Sequence, residues 1–246
     1  MTSRDAELGP TPTAPVAVAI SPAADWLPAN ILRFYVHFSA PAEAAFERDQ
    51  LRLIAADGEV VPDAFLILNE ELWSPDGRRL TVLMEPGRIK RGMGPASTHA
   101  PALIPHNSYR LEVSTGGQML TKAFGVMPPM VEPLLEKHWR LARPVVGSRG
   151  TLEVTFDRVM DDAIVADEIA VQRPDGTRFD GTHSLIMDGR KLIFQSTDRW
   201  DDSDYRLVLS RRLEDVCGNR LGEALDHLVS QRQRSRAGVV SFRPTP

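Results

Sequence analysis

The property that most narrows the folds open to this chain is an internal repeat. Residues Leu32 to Phe38 return as Gly150 to Phe156, and the pair Asp57-Gly58 returns as Asp175-Gly176. Arg78 to Val82 returns as Arg190 to Phe194, and Ser108 to Val113 returns as Asp204 to Leu209. These pieces are short apolar runs of β type, punctuated along the chain by Asp-Gly and Pro turn signals. Alternation of period two buries one face of a strand, and strands at this spacing, without long helical periodicity between them, predict a β-sandwich. Two copies predict two sandwiches in tandem. In the first copy, strands are expected at Leu32 to Phe38, Gln50 to Ile54, Ala64 to Leu68, Arg79 to Met84, Ser108 to Val113 and Lys122 to Val126, after a short strand at Val16 to Ile20.

The spacing between the copies is not constant, and this locates what the first copy adds. Phe38 and Phe156 lie 118 positions apart, as do Gly58 and Gly176, whereas Arg79 and Arg190 lie 111 apart and Tyr109 and Tyr205 lie 96 apart. The first copy therefore carries about seven extra residues near Asn69 to Gly77 and about fifteen between Glu85 and His106. Insertions on a framework already committed to packing are where function is expected. The organisation that follows is a flexible leader at 1–15, a first domain with two inserted loops at 16–127, a Pro-rich linker with a lead-in strand at 128–144, and a second domain at 145–246.

Composition removes several classes. With 246 residues, each copy is long enough to bury a core. One cysteine, Cys217, excludes a disulfide scaffold within the chain. The 29 basic and 33 acidic residues leave a net charge of −4, which argues against nucleic acid as a partner. No apolar run is long enough to span a membrane, and the first ten residues lack a signal core. The sequence leaves the compartment open: cytoplasmic as written, extracytoplasmic if the chain is processed or truncated.

Four features together resemble the bacterial Ig-like domains of the S-layer SbsA type: Phe38-Ser39-Ala40-Pro41 at a strand end, the Asp-Gly hairpin, the Tyr109 and Tyr205 strands, and Asp215-Val216-Cys217-Gly218-Asn219-Arg220-Leu221 near the close. The resemblance covers roughly residues 16–127 and 137–246. It implies an all-β fold of two tandem Ig-like β-sandwich domains, and a spacer, adhesive or accessory role. Tyr109 and Tyr205 stand where tyrosine corners would stand, with the phenol bonded to backbone.

The candidate binding residues gather in the two insertions. Arg88, Lys90 and Arg91 lie between glycines, a pattern that suits an anion or an acidic partner, against the plainer reading of a solvated basic loop. Glu70, Glu71 and Trp73 suit stacking on a sugar ring or anchoring a partner, with Trp73 as an end cap of the sandwich as the alternative. His106 joins them from the larger insertion. No metal-ligand spacing, nucleotide loop or nucleophile elbow is present, so neither a metal nor a cofactor is expected. The reading is a non-enzymatic binding or structural protein presenting a Trp and basic loop surface to a protein or polysaccharide partner. The alternative is an enzyme with an acid-base site built from Glu70, Glu71, Arg88, Lys90 and His106.

Overall fold

The computed structural model describes residues 15–42, 46–89, 100–225 and 234–246. The expected leader, apart from its last residue, lies outside this set, as do Lys90, Arg91 and His99. The first sandwich is built from β1 (Ala17–Ser21), β2 (Trp26–Pro28), β3 (Arg33–Phe38), β4 (Leu51–Ala55), β5 (Leu72–Trp73), β6 (Arg79–Leu83), β7 (Ser108–Thr115) and β8 (Gln118–Met127), with a single helical turn, α1 (Pro86–Ile89), after β6. The second uses β9 (Arg140–Ala142), β10 (Thr151–Thr155), β11 (Ile169–Gln172), β12 (Gly181–Ile186), β13 (Lys191–Ser196), β14 (Tyr205–Leu209) and β15 (Gly238–Phe242).

Strand order identifies the fold as Ig-like. One sheet of the first sandwich runs β1-β3-β6-β5 and the other β2-β8-β7-β4. All pairings are antiparallel except β2 with β8, which is parallel. The chain changes sheets between β1 and β2, where Pro22 has no N–H to donate to a ladder. The second sandwich repeats the order as β9-β10-β13-β12 and β11-β14-β15. The protein is thus all-β, two Ig-like sandwiches in tandem.

The repeat extends to single hydrogen bonds. In both Asp-Gly hairpins the glycine takes a positive φ, 89° at Gly58 and 85° at Gly176, which a side chain would strain. The amides of Ala55 and Arg173 donate to the carbonyls of Glu59 and Thr177, each at 2.8 Å. Both tyrosine corners are present, the Ile104 amide donating to the Tyr109 hydroxyl at 3.0 Å and the Asp201 amide to Tyr205 at 3.1 Å. Inward residues alternate as the sequence requires, Leu80 and Val82 on β6 and Leu152 and Val154 on β10 being buried.

Two expectations are corrected. Ala64 to Leu68 is not a strand, because Pro62 withholds an amide and Asp63 takes a φ of 47°. Only Phe65 bridges to Met84. The spacing of 111 between Arg79 and Arg190 is out of register by one, and the match of Arg78 to Val82 with Arg190 to Phe194 is the one the hydrogen bonds follow. The amides of Phe38 and Phe156 bond the carbonyls of Arg78 and Arg190, so Arg78, not Arg79, is the partner of Arg190. The smaller insertion is accordingly not wholly extra, since it contains β5, whose Leu72 and Trp73 pair with Thr81 and Leu80.

The two sandwiches meet through a buried polar seam. Arg33 donates to Asp161 at 2.7 Å and also bonds Glu214, while the Tyr35 hydroxyl donates to Asp161 at 2.8 Å. Burial, reinforced by Asp161, pushes the Tyr35 phenol well above its ordinary range. Asn30 and Asn219 both donate to the Met130 carbonyl, at 2.9 and 3.0 Å. Apolar packing crosses the same seam, with Val159, Val216 and Cys217 buried in the core of the first sandwich.

Candidate binding groove on the first sandwich

The strands that should close one side of the first sandwich do not. In the second sandwich β12 pairs with β13 along its whole length, from Gly181 opposite Ser196 to Ile186 opposite Lys191. The equivalent chain in the first sandwich turns away after Pro62 and Asp63. It touches the β6 side at Phe65 and Leu66, whose amide donates to the Leu83 carbonyl at 2.9 Å, and it returns only at β5. Between these contacts it bows outward. Ile67 is 63% exposed, Leu68 42% and Leu72 41%, an apolar ridge that folding alone does not favour.

Behind the ridge lies a groove of about 280 Å³, lined by Leu51 and Leu53 of β4, Val61, Phe65, and Leu80 and Val82 of β6. Its cause is visible in the repeat. Phe179, Phe194 and Trp200 fill the second sandwich, with the Phe179 ring 4.5 Å from Trp200 and 5.1 Å from Tyr205. The first sandwich has Val61 in place of Phe179, because the amides of Val61 and Phe179 bond the equivalent carbonyls of Leu53 and Val171. Val82 replaces Phe194 across the β3–β6 and β10–β13 pairings, and Leu103 precedes the corner amide where Trp200 does. Of these three aliphatic side chains Val61 and Val82 line the groove, whereas Leu103 is buried away from it. Phe34 adds a ring where the second sandwich has Leu152, so the groove opens where Phe179 and Phe194 have no counterpart ring.

Five of the seven candidate residues are described, and they divide around this groove. Glu70 and Glu71 line it. Glu70 is exposed and makes no hydrogen bond or ion pair among the described residues. Glu71 is tied down, one carboxylate oxygen accepting from the Phe46 amide at 2.8 Å and the other from the Trp73 indole at 3.1 Å. Trp73 packs on Phe38 with ring centroids 5.1 Å apart and is partly buried against the first core, so it caps the sandwich end. Arg88 sits past the opposite end of β6 and donates to the carbonyls of Pro62 and Ala100, pinning one end of the groove. His106 is exposed with a φ of 70°. Its amide bonds the Val126 carbonyl of β8, two strands from the β4 edge where the groove opens. The structure therefore brings Glu70 and Glu71 together, places Arg88 at the far end, and leaves His106 apart.

The groove residues Ile67, Leu68 and Val61 were not singled out from the sequence. The signal was available in the repeat as the exchange of Phe179 and Phe194 for Val61 and Val82, which alternation alone conceals because all are apolar. The Asp215 to Leu221 stretch is structural. The Asp215 carboxylate accepts from the amides of Cys217 and Asn219, both at 2.9 Å, and from Arg158 at 3.2 Å. Burial pushes the Cys217 thiol up, the opposite of an activated cysteine. Among the described residues no three His, Cys, Asp or Glu gather to hold a metal, and no helix is long and apolar enough to cross a membrane.

No family model matches the chain, and no curated protein matches it. Among solved structures it is similar to the N-terminal four Ig domains of Dscam1 isoform 7.44, at 12% identity and a TM-score of 0.28, covering 94% of this chain and 51% of that one. It is also similar to the titin Ig tandem A164-A165, at 9% identity and a TM-score of 0.27, covering 89% and 90%. The chain spans about half the length of the Dscam1 chains it matches. Likeness at this level carries no argument about function, and the Ig-like assignment rests on the strand order of the two sandwiches themselves.

Proposed function

We propose that the protein is a non-enzymatic binding module, and that the open groove of its first sandwich receives apolar side chains of a protein partner. The observation that carries this reading is the contrast within one chain. The same scaffold is sealed by rings in the second sandwich and left open beside an exposed apolar ridge in the first. At about 280 Å³ the groove falls just short of the range of roughly 300–1,000 Å³ that encloses a whole small ligand, so it suits side chains presented by a larger partner. A protein is favoured over a polysaccharide because Trp73, the aromatic residue of the smaller insertion, is turned onto Phe38. The acid-base alternative gains no support from the geometry, because Glu71 is committed to Phe46 and Trp73 while His106 stands apart.

Pull-downs with three proteins test the reading: wild type, Ile67→Asp with Leu68→Asp, and Arg88→Ala with Lys90→Ala and Arg91→Ala. Loss of the partner in the ridge variant alone is the expected result. Loss in the basic-loop variant alone would move the surface to the larger insertion and overturn the groove.

A further inference from the structure

We propose that the partner segment is an extended strand whose apolar residues are flanked by lysine or arginine; this rests on the groove as the binding surface. Two observations carry it. The first is charge at one lip of the groove. Glu70 and Glu71 stand side by side, and neither meets a cation among the described residues. Two described cations border the groove, and each already has partners. Arg52, which also lines the groove, pairs with Glu112 at 3.1 Å, and Arg88 at the other end is turned onto backbone carbonyls. An apolar occupant displaces water from this lip and leaves two carboxylates poorly solvated unless it brings positive charge with it.

The second observation is backbone. Leu66 donates to Leu83 and Trp73 donates to Glu71, but between them the N–H and C=O groups of Ile67, Leu68, Asn69 and Glu70 make no backbone hydrogen bond among the described residues. A bowed chain with unpaired groups beside an apolar trough is the setting for strand addition, in which main-chain bonds give affinity and alternate side chains enter pockets. In such a strand the residues that do not enter the groove face outward, and those at its end by Glu70 meet the carboxylates.

Fluorescence anisotropy with the full chain at low ionic strength tests this. The probes are two labelled peptides sharing an alternating Val-Thr core, one flanked by lysines and the other by glutamates. The lysine peptide is expected to bind at least about ten-fold more tightly, as expected for a desolvated charge pair. Glu70→Lys should erase or reverse that preference, and Val61→Phe, which fills the groove, should remove binding of either peptide. Equal affinities, or a preference for the glutamate peptide, would overturn the charge assignment while leaving the groove standing. Absence of saturable binding by both peptides would overturn strand addition. Binding that survives Val61→Phe would show that the peptides sit elsewhere and would overturn the groove as well.

Discussion

At the scale of single residues, the structure separates side chains that hold the sandwiches from those that are left over. Tyr109 and Tyr205 have buried rings, and each accepts one backbone amide. Phenylalanine at either position should cost about 1 kcal/mol, the net worth of one hydrogen bond with the ring retained. A chemical denaturation midpoint reads this directly. Trp73 belongs with them, because its ring meets Phe38 and its N–H meets Glu71. Trp73→Ala should therefore destabilise by about 2 kcal/mol, less than a fully buried ring because the site is partly exposed. A melt unchanged from wild type would show that the indole is free after all. His37 marks the same economy of function: burial lowers its pKa, and it bonds Ser21 at 2.9 Å, so it is a packing residue.

At the scale of elements, the decisive difference is between β12, six residues long, and β5, only two. The bowed segment that replaces the missing strand length is held at its ends and contributes little between them. Ile67→Ser with Leu68→Ser should change stability by no more than about 0.5 kcal/mol, as exposed positions do. Stability lost on the scale of a core deletion would mean that the ridge packs against the first sandwich. Much of this architecture was legible in the sequence. The tandem sandwiches, the Asp-Gly hairpins and the corner tyrosines follow from local patterns repeated twice, with turn chemistry and alternation pointing the same way. The groove was not legible, because it arises from side-chain volume: Val61 and Phe179 are equivalent to a pattern of polar and apolar residues but not to a packed core. The break at Pro62 and Asp63 was also hidden, since Ala64 to Leu68 is apolar enough to read as a strand until its backbone is seen to turn away.

At the scale of the whole molecule, the seam between the sandwiches makes the tandem one packed body. Arg33 and Tyr35 of β3 converge on Asp161, and the Asp215 turn buries Val216 and Cys217 against the first core. Tyr35→Phe leaves the Asp161 carboxylate without its phenol donor in a buried site and should cost about 2 kcal/mol, as a hydrogen bond to a charged group does. Calorimetry should show a single transition for the wild-type chain; two well-separated transitions would mean that the seam does not couple the sandwiches. A fixed second sandwich leaves the groove of the first as a place in the fold where packing is unfinished. The most direct test of that claim puts the residue of the sealed copy into the open one. Val61→Phe should raise stability by about 1 kcal/mol, as cavity filling does, and abolish partner binding in the same preparation. A variant that is more stable yet binds its partner as wild type does would contradict the account, because the groove would then be closed and the function intact.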